Sequence, residues 1–124
     1  MSDTVMIGFY NNESDKIFAS VLKVSSGGDA TGRSLLENYG SEYLAWQISG
    51  MGVMQALRPT YDETYDVTDE SGIPTLFESI PLYLELLEKT VIQSVYLYDG
   101  FTWFVADKTN PTFTDVLTVI SKAA

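Results

Sequence analysis

A strand-like stretch ending at Val24 passes through Ser25-Ser26-Gly27-Gly28-Asp29-Ala30-Thr31-Gly32 into a helix that opens at Arg33. A glycine-rich passage from strand to helix leaves backbone N–H groups free at the positive end of a helix, an arrangement that holds anions. Gly28, Thr31 and Gly32, with the Arg33 guanidinium beside them, are therefore candidates to bind the phosphate or carboxylate of a small ligand. Tyr98 or Trp103 would stack on a base attached to it. The spacing is neither that of a phosphate-binding P-loop, since no Gly-Lys-Ser/Thr follows, nor that of a dinucleotide fingerprint. The same residues would also serve a plain turn, with Asp29 or Thr31 capping the helix.

A second cluster runs from Tyr61 to Glu70, where Asp62, Glu63, Asp66, Asp69 and Glu70 place five carboxylates in ten residues beside Tyr61 and Tyr65. Carboxylates pair with guanidinium groups, and tyrosine supplies contact area at little entropic cost. These seven residues are the candidate surface for a basic protein. The segment lacks the residue order of a calcium-binding loop, and charge runs of this kind also occur as solvated loops. A third group, Tyr96, Tyr98, Phe101 and Trp103, lies on a hairpin, where cross-strand pairing accounts for aromatic residues without a ligand.

The remaining chemistry is defined by exclusion. With no His and no Cys there is no thiolate nucleophile, no Ser-His pair, no sulfur-ligated zinc and no disulfide framework. Neither enzymatic activity nor a metal or cofactor is expected. The formal charge of -10, from 17 acidic and 7 scattered basic residues, disfavours nucleic acid and anionic membrane as direct partners. It favours an encounter with a basic protein surface, although acidity also keeps small proteins in solution. Apolar runs fall short of the roughly 20 residues that span a bilayer. Met1-Ser2-Asp3-Thr4 lacks the basic start of a signal peptide, so a cytoplasmic location is expected.

The elements that must position these residues follow from periodicity. At 124 residues the chain is expected to be one domain, residues 1–124. Thr4 to Tyr10 alternates as a strand, and Asn11-Asn12-Glu13-Ser14-Asp15 turns it into a second strand starting near Lys16. Leu35, Leu36 and Tyr39 mark a helix ended by Gly40; Ser41 caps the next, which carries Leu44 and Ile48 and breaks at Gly50 and Gly52. Pro74 and Pro81 each suit the first turn of a helix, the latter running through Leu84, Leu87 and Val91. Val95 to Ala106 reads as a hairpin about Asp99-Gly100, the dipeptide suited to a two-residue type I′ turn. Asn110-Pro111 would open a terminal helix whose Phe113, Val116, Leu117 and Ile120 share one apolar face. The expected architecture is α+β: about four antiparallel strands in two hairpins, with helices packed on one face. Gly50-Met51-Gly52-Val53-Met54 is either a buried turn or an exposed contact patch.

Gly32-Arg33-Ser34-Leu35-Leu36-Glu37-Asn38-Tyr39, a G-x-x-L-x-x-x-Y helix start, is followed by Tyr96-Leu97-Tyr98-Asp99-Gly100-Phe101-Thr102-Trp103-Phe104-Val105, a Y-x-Y-x-D-G-x-x-W-x-V hairpin. In this order the chain resembles small accessory proteins of unassigned function encoded by bacteriophages and prophages, over Lys16 to Leu117. The resemblance implies a viral protein that blunts a bacterial defence in the host cytoplasm. Two mechanisms then compete: an acidic inhibitor occupying a basic surface of a host protein, and a sponge that sequesters a small, cyclic nucleotide at the glycine elbow. A third expectation is a structural protein that assembles with copies of itself. The net charge favours the first, because a polyanionic ligand meets an unfavourable field.

Overall fold

Runs rich in apolar residues on both faces make two nine-residue strands, β1 (Asp3–Asn11) and β2 (Lys16–Val24). They pair antiparallel from Asp3↔Val24 to Asn11↔Lys16. Asp15, at φ 59, turns the chain in the left-handed region, and its N–H donates to Asn11 O at 2.8 Å. The computed structural model describes residues 3–24, 30–66, 72–89 and 91–123.

The order continues with α1 (Ala30–Asn38), α2 (Glu42–Ser49), β3 (Val53–Met54), α3 (Tyr61–Asp66), β4 (Thr75–Phe77) and α4 (Ile80–Leu84), which tightens into a 3₁₀ turn (Glu85–Glu88). It ends with β5 (Ile92–Tyr98), β6 (Trp103–Asp107), β7 (Thr114–Asp115) and α5 (Val116–Ala123). The class is α+β as expected, but the sheet has seven strands where about four were expected, in the order β3-β2-β1-β5-β6-β7 with β4 also on β2. The additional strands β3, β4 and β7 have two or three residues each, too few to show an alternating pattern. The two long hairpins are joined by a parallel pair, β1 with β5, in which Ile7 lies beside Tyr96.

The sheet is covered on both faces, not one. Val5, Ile7 and Phe9 of β1, Leu22 of β2, Tyr96 and Tyr98 of β5 and Trp103 of β6 form one core with Leu35 of α1, Tyr39 just after it, Ala45 and Ile48 of α2, and Val116 and Ile120 of α5. The alternate residues Met6, Ile17, Ala19, Val95, Leu97 and Ala106 form a second core with Tyr83 and Leu87 from α4 and the 3₁₀ turn. A strand between two apolar layers must be apolar on both faces, as β1 is.

Several local expectations are corrected by longer-range contacts. The first helix opens at Ala30, not Arg33. Pro74 precedes an edge strand, where a missing N–H costs nothing, and Thr75–Phe77 pair with Ala19–Ile17. The helix at Pro81 stops short of Val91, which is exposed. Its start is as read: Ser79 Oγ accepts from Leu82 N–H at 3.3 Å. Tyr98 pairs with Trp103, so the tip is the four-residue loop 99–102, not a two-residue turn. Asp99 Oδ1 accepts from Phe101 N–H and Thr102 N–H, both at 2.9 Å, while Gly100 takes φ +106.

The terminal helix starts at Val116, where Asp115 Oδ1 accepts from Leu117 N–H at 2.8 Å. Phe113 therefore lies outside it and packs on the opposite core from Val116 and Ile120, and Leu117 is exposed. In the Gly50–Met54 segment Met51, Gly52 and Met54 are buried, Gly50 is exposed, and Val53–Met54 form β3. Ser20 Oγ donates to Ser49 O at 2.6 Å and accepts from Gly52 N–H at 2.8 Å. Gly52 sits at φ +95, with Gly72 O only 2.2 Å from where a Cβ would stand.

Candidate functional site

The acidic segment begins as a capped helix. Thr60 Oγ1 accepts from Glu63 N–H at 3.1 Å and lies 3.1 Å from Glu63 Oε1, to which it donates. This Thr-x-x-Glu start satisfies a free amide at the N-terminus of α3 and places Asp62 and Glu63 where the helix end favours negative charge. Thr64, one turn on, is fully buried. Its Oγ1 accepts from Arg58 N–H at 2.9 Å and is 3.2 Å from the Tyr39 hydroxyl. Tyr39 Oη donates to Arg58 O at 2.7 Å, which ties the helix to the end of α1.

The pinning decides which side of α3 is free. Thr64 and the half-buried Tyr61 face the core, whereas Asp62, Glu63 and Tyr65 face solvent. Asp66 is the last residue of α3, and Asp69 and Glu70 lie outside the described residues. The Tyr61 and Tyr65 rings meet edge to face at 6.4 Å.

Beside α3 lies an aromatic pair that the sequence reading did not single out. Tyr43 and Trp46 of α2 are 64% and 52% exposed, and their rings stack at 6.2 Å with 22° between planes. Trp46, Gln47 and Tyr61 line a cavity of about 360 Å³ with Phe18, Gly50 and Pro74. On its other side Trp46 lines a wider groove of about 590 Å³ with Tyr43, Glu42, Phe9, Tyr10, Glu13 and Gly100. The available signal was the period of α2: Leu44, Ala45 and Ile48 occupy its inner face, which turns Tyr43 and Trp46 outward.

The elbow residues are placed differently. Gly28 lies outside the described residues. Thr31 and Gly32 are buried. A Cβ on Gly32 would stand 2.9 Å from Val116 Cγ1, so this glycine serves the close approach of α1 and α5. Gly32 also lines a cavity of about 180 Å³ with Ser94, Tyr96 and Asp107, whose carboxylate repels an anion. Arg33 is exposed.

Tyr98 and Trp103, the rings expected to stack on a base, are 2% and 0% exposed and belong to the core. They bond to Gly40 O at 3.4 Å and Tyr39 O at 2.8 Å, six or seven residues past Arg33, or about 10 Å along a helix. The described members of the ligand set do not converge.

Tyr10, Tyr39, Tyr83 and Tyr98 have their titrations displaced upward. Burial raises Tyr83 well above its ordinary value, and burial is also the main cause for Tyr39 and Tyr98. Glu63 adds to the shift of Tyr39, while its bond to Thr64 opposes it; Glu42 and Asp99 add to that of Tyr98. Tyr10 is raised chiefly by its 2.6 Å bond to Asp15. Such hydroxyls stay protonated at neutral pH and act as hydrogen-bond donors. Among the described residues no group of three or more acidic side chains is placed to hold a metal ion. No helix among them is long and apolar enough to cross a membrane.

In comparisons with protein-family models, curated proteins and solved structures, the chain has no match. What the arrangement offers chemically is a surface of exposed rings bordered by carboxylates.

Proposed function

We propose that this is a non-enzymatic binding protein that inhibits a host protein by covering a basic surface on it. That is the accessory, counter-defence role implied by the likeness to phage and prophage proteins, acting in the host cytoplasm. The observation that carries the reading is the adjacency of α2 and α3: Tyr43, Trp46 and Tyr65 are each more than half exposed, next to the exposed Glu42, Asp62 and Glu63. Tyrosine and tryptophan dominate the energetics of protein interfaces because they bury large area with few rotatable bonds. Carboxylates around them select arginine and lysine, and the charge of -10 accelerates approach to a basic partner.

The test is neutralisation in place: Asp62→Asn, Glu63→Gln, Asp66→Asn, Asp69→Asn and Glu70→Gln together. Capture of basic host proteins, and inhibition of the one identified, should be lost while circular dichroism stays unchanged. Wild-type capture should weaken as added salt shortens the screening length below about 10 Å. Full inhibition by the neutralised protein rejects the reading.

A further inference from the structure

The groove at the N-terminal end of α2 is built from three separate parts of the chain. Glu42, Tyr43 and Trp46 come from α2, Tyr10, Asn11, Asn12 and Glu13 from the end of β1 and its turn, and Gly100 from the tip of the β5–β6 hairpin. We infer that this groove is a guanidinium-binding site that takes an arginine side chain of the partner protein. In it the Tyr43–Trp46 pair lies against the flat face of the cation, and Glu13 and Glu42 act as its carboxylate partners. The inference rests on the reading of a basic protein partner and adds the contact that anchors it.

Charge and shape both point to this occupant. The lining holds two carboxylates and no lysine or arginine. Among the described residues the only ion pair is Lys16 with Glu78 at 3.5 Å, so neither Glu13 nor Glu42 is neutralised by one. A third carboxylate, Asp15, stands behind the lining as the acceptor of the Tyr10 hydroxyl at 2.6 Å. An open groove with negative edges and two near-parallel aromatic rings attracts a cation that can also stack.

Arginine meets that demand better than lysine, since guanidinium is planar, weakly hydrated and able to bond carboxylates two at a time. A side chain within a protein also fits better than free arginine, whose own carboxylate would face Glu13 and Glu42. Part of the site is held in place: Gln47 Nε2 donates to Tyr43 Oη at 3.2 Å, and Ser41 Oγ accepts from Leu44 N–H at 3.3 Å, fixing the helix start. A cation entering it meets a Tyr43 ring already bonded to Gln47, which limits the ordering cost of that contact.

The experiment is a titration of the full chain, followed by the two indole N–H signals in NMR. The probe is a capped peptide carrying two arginines, compared with its lysine and citrulline counterparts and with free arginine. Trp103, buried and bonded to Tyr39 O, is an internal control for the fold. The arginine peptide should shift the Trp46 signal saturably and leave that of Trp103 in place. The lysine peptide and free arginine should bind more weakly, and citrulline, which is planar but uncharged, should not bind. By calorimetric titration of the same peptide, Trp46→Ala and Glu42→Gln should each weaken binding by about 3- to 10-fold, the scale of one cation–π contact or one charged hydrogen bond.

Absence of a saturable Trp46 shift, or an equal shift with citrulline, overturns the site. Free arginine binding as well as the peptide overturns the assignment to a protein partner. Basic-protein capture that depends on the α3 carboxylates but not on Trp46 or Glu42 overturns the groove and leaves the broader reading standing. A groove that takes the peptide in a chain that captures no basic protein does the reverse.

Discussion

The indole N–H of Trp103 donates to the main-chain carbonyl of Tyr39 at 2.8 Å, and both residues are fully buried. This bond spans 64 positions of sequence and satisfies a carbonyl that the end of α1 would otherwise leave free. Trp103→Phe keeps an aromatic ring but strands that carbonyl, and should cost about 1–3 kcal/mol. Urea denaturation measures it; a loss of a few tenths would mean that the bond is replaced by water.

Gly8 lies under the ring of Tyr83. A Cβ at Gly8 would stand 2.9 Å from the Tyr83 hydroxyl and 3.0 Å from Cζ, while that hydroxyl donates to Tyr96 O at 2.6 Å. Gly8→Ala should destabilise the fold by about 1–3 kcal/mol through overpacking. Combined with Tyr83→Phe, which removes the clashing oxygen, the losses should be less than additive, since the two residues share one contact. Strict additivity in a double-mutant cycle would show that the contact is not where the strain lies.

Alkaline pH should unfold the protein by a definite route. In the folded chain burial raises the hydroxyls of Tyr39, Tyr83 and Tyr98, while the unfolded chain ionises near 10.0. Their contribution is fully present below the unfolded value and is lost as pH rises through the folded ones, because only the unfolded state then gives up the proton. The slope approaches about 1.4 kcal/mol per pH unit for each tyrosine held protonated. Denaturation midpoints measured from neutral to strongly alkaline pH should fall only above about 10, and Tyr83→Phe should flatten the fall. A decline that begins near neutrality would assign it to other groups.

Thr60→Ala removes the cap of α3 without touching a charge. The expected cost is about 1 kcal/mol, with loss of helical order around Asp62, Glu63 and Tyr65. If these residues bind as a fixed face, partner affinity should drop with net charge unchanged. Undiminished affinity in a calorimetric titration would mean that charge alone suffices.

The local elements were legible wherever the signal was local. The β1–β2 hairpin, the Ser41 cap, the stop at Gly50 and the β5–β6 hairpin depend on alternation, caps and turn residues within a few positions of one another. Sheet order was not legible, since the parallel pairing of β1 with β5 brings together Ile7 and Tyr96 with no local mark of either partner. Phe113 shows the limit of periodicity: it fits the helical spacing of Val116 and Ile120, yet packs on the other side of the sheet.

The candidate site divides in the same way. Composition alone settled the absence of His and Cys chemistry and the charge of -10, because both are sums over the chain. Tertiary structure decided which rings are available. Tyr98 and Trp103 look like stacking surfaces in sequence but are consumed by the core, while Tyr43 and Trp46 are left exposed because the inner face of α2 is already filled. The period of α2 carries a local signal for Tyr43 and Trp46, but the burial of Tyr98 and Trp103 depends on what distant parts of the chain bring against them, which no window of neighbouring sequence contains.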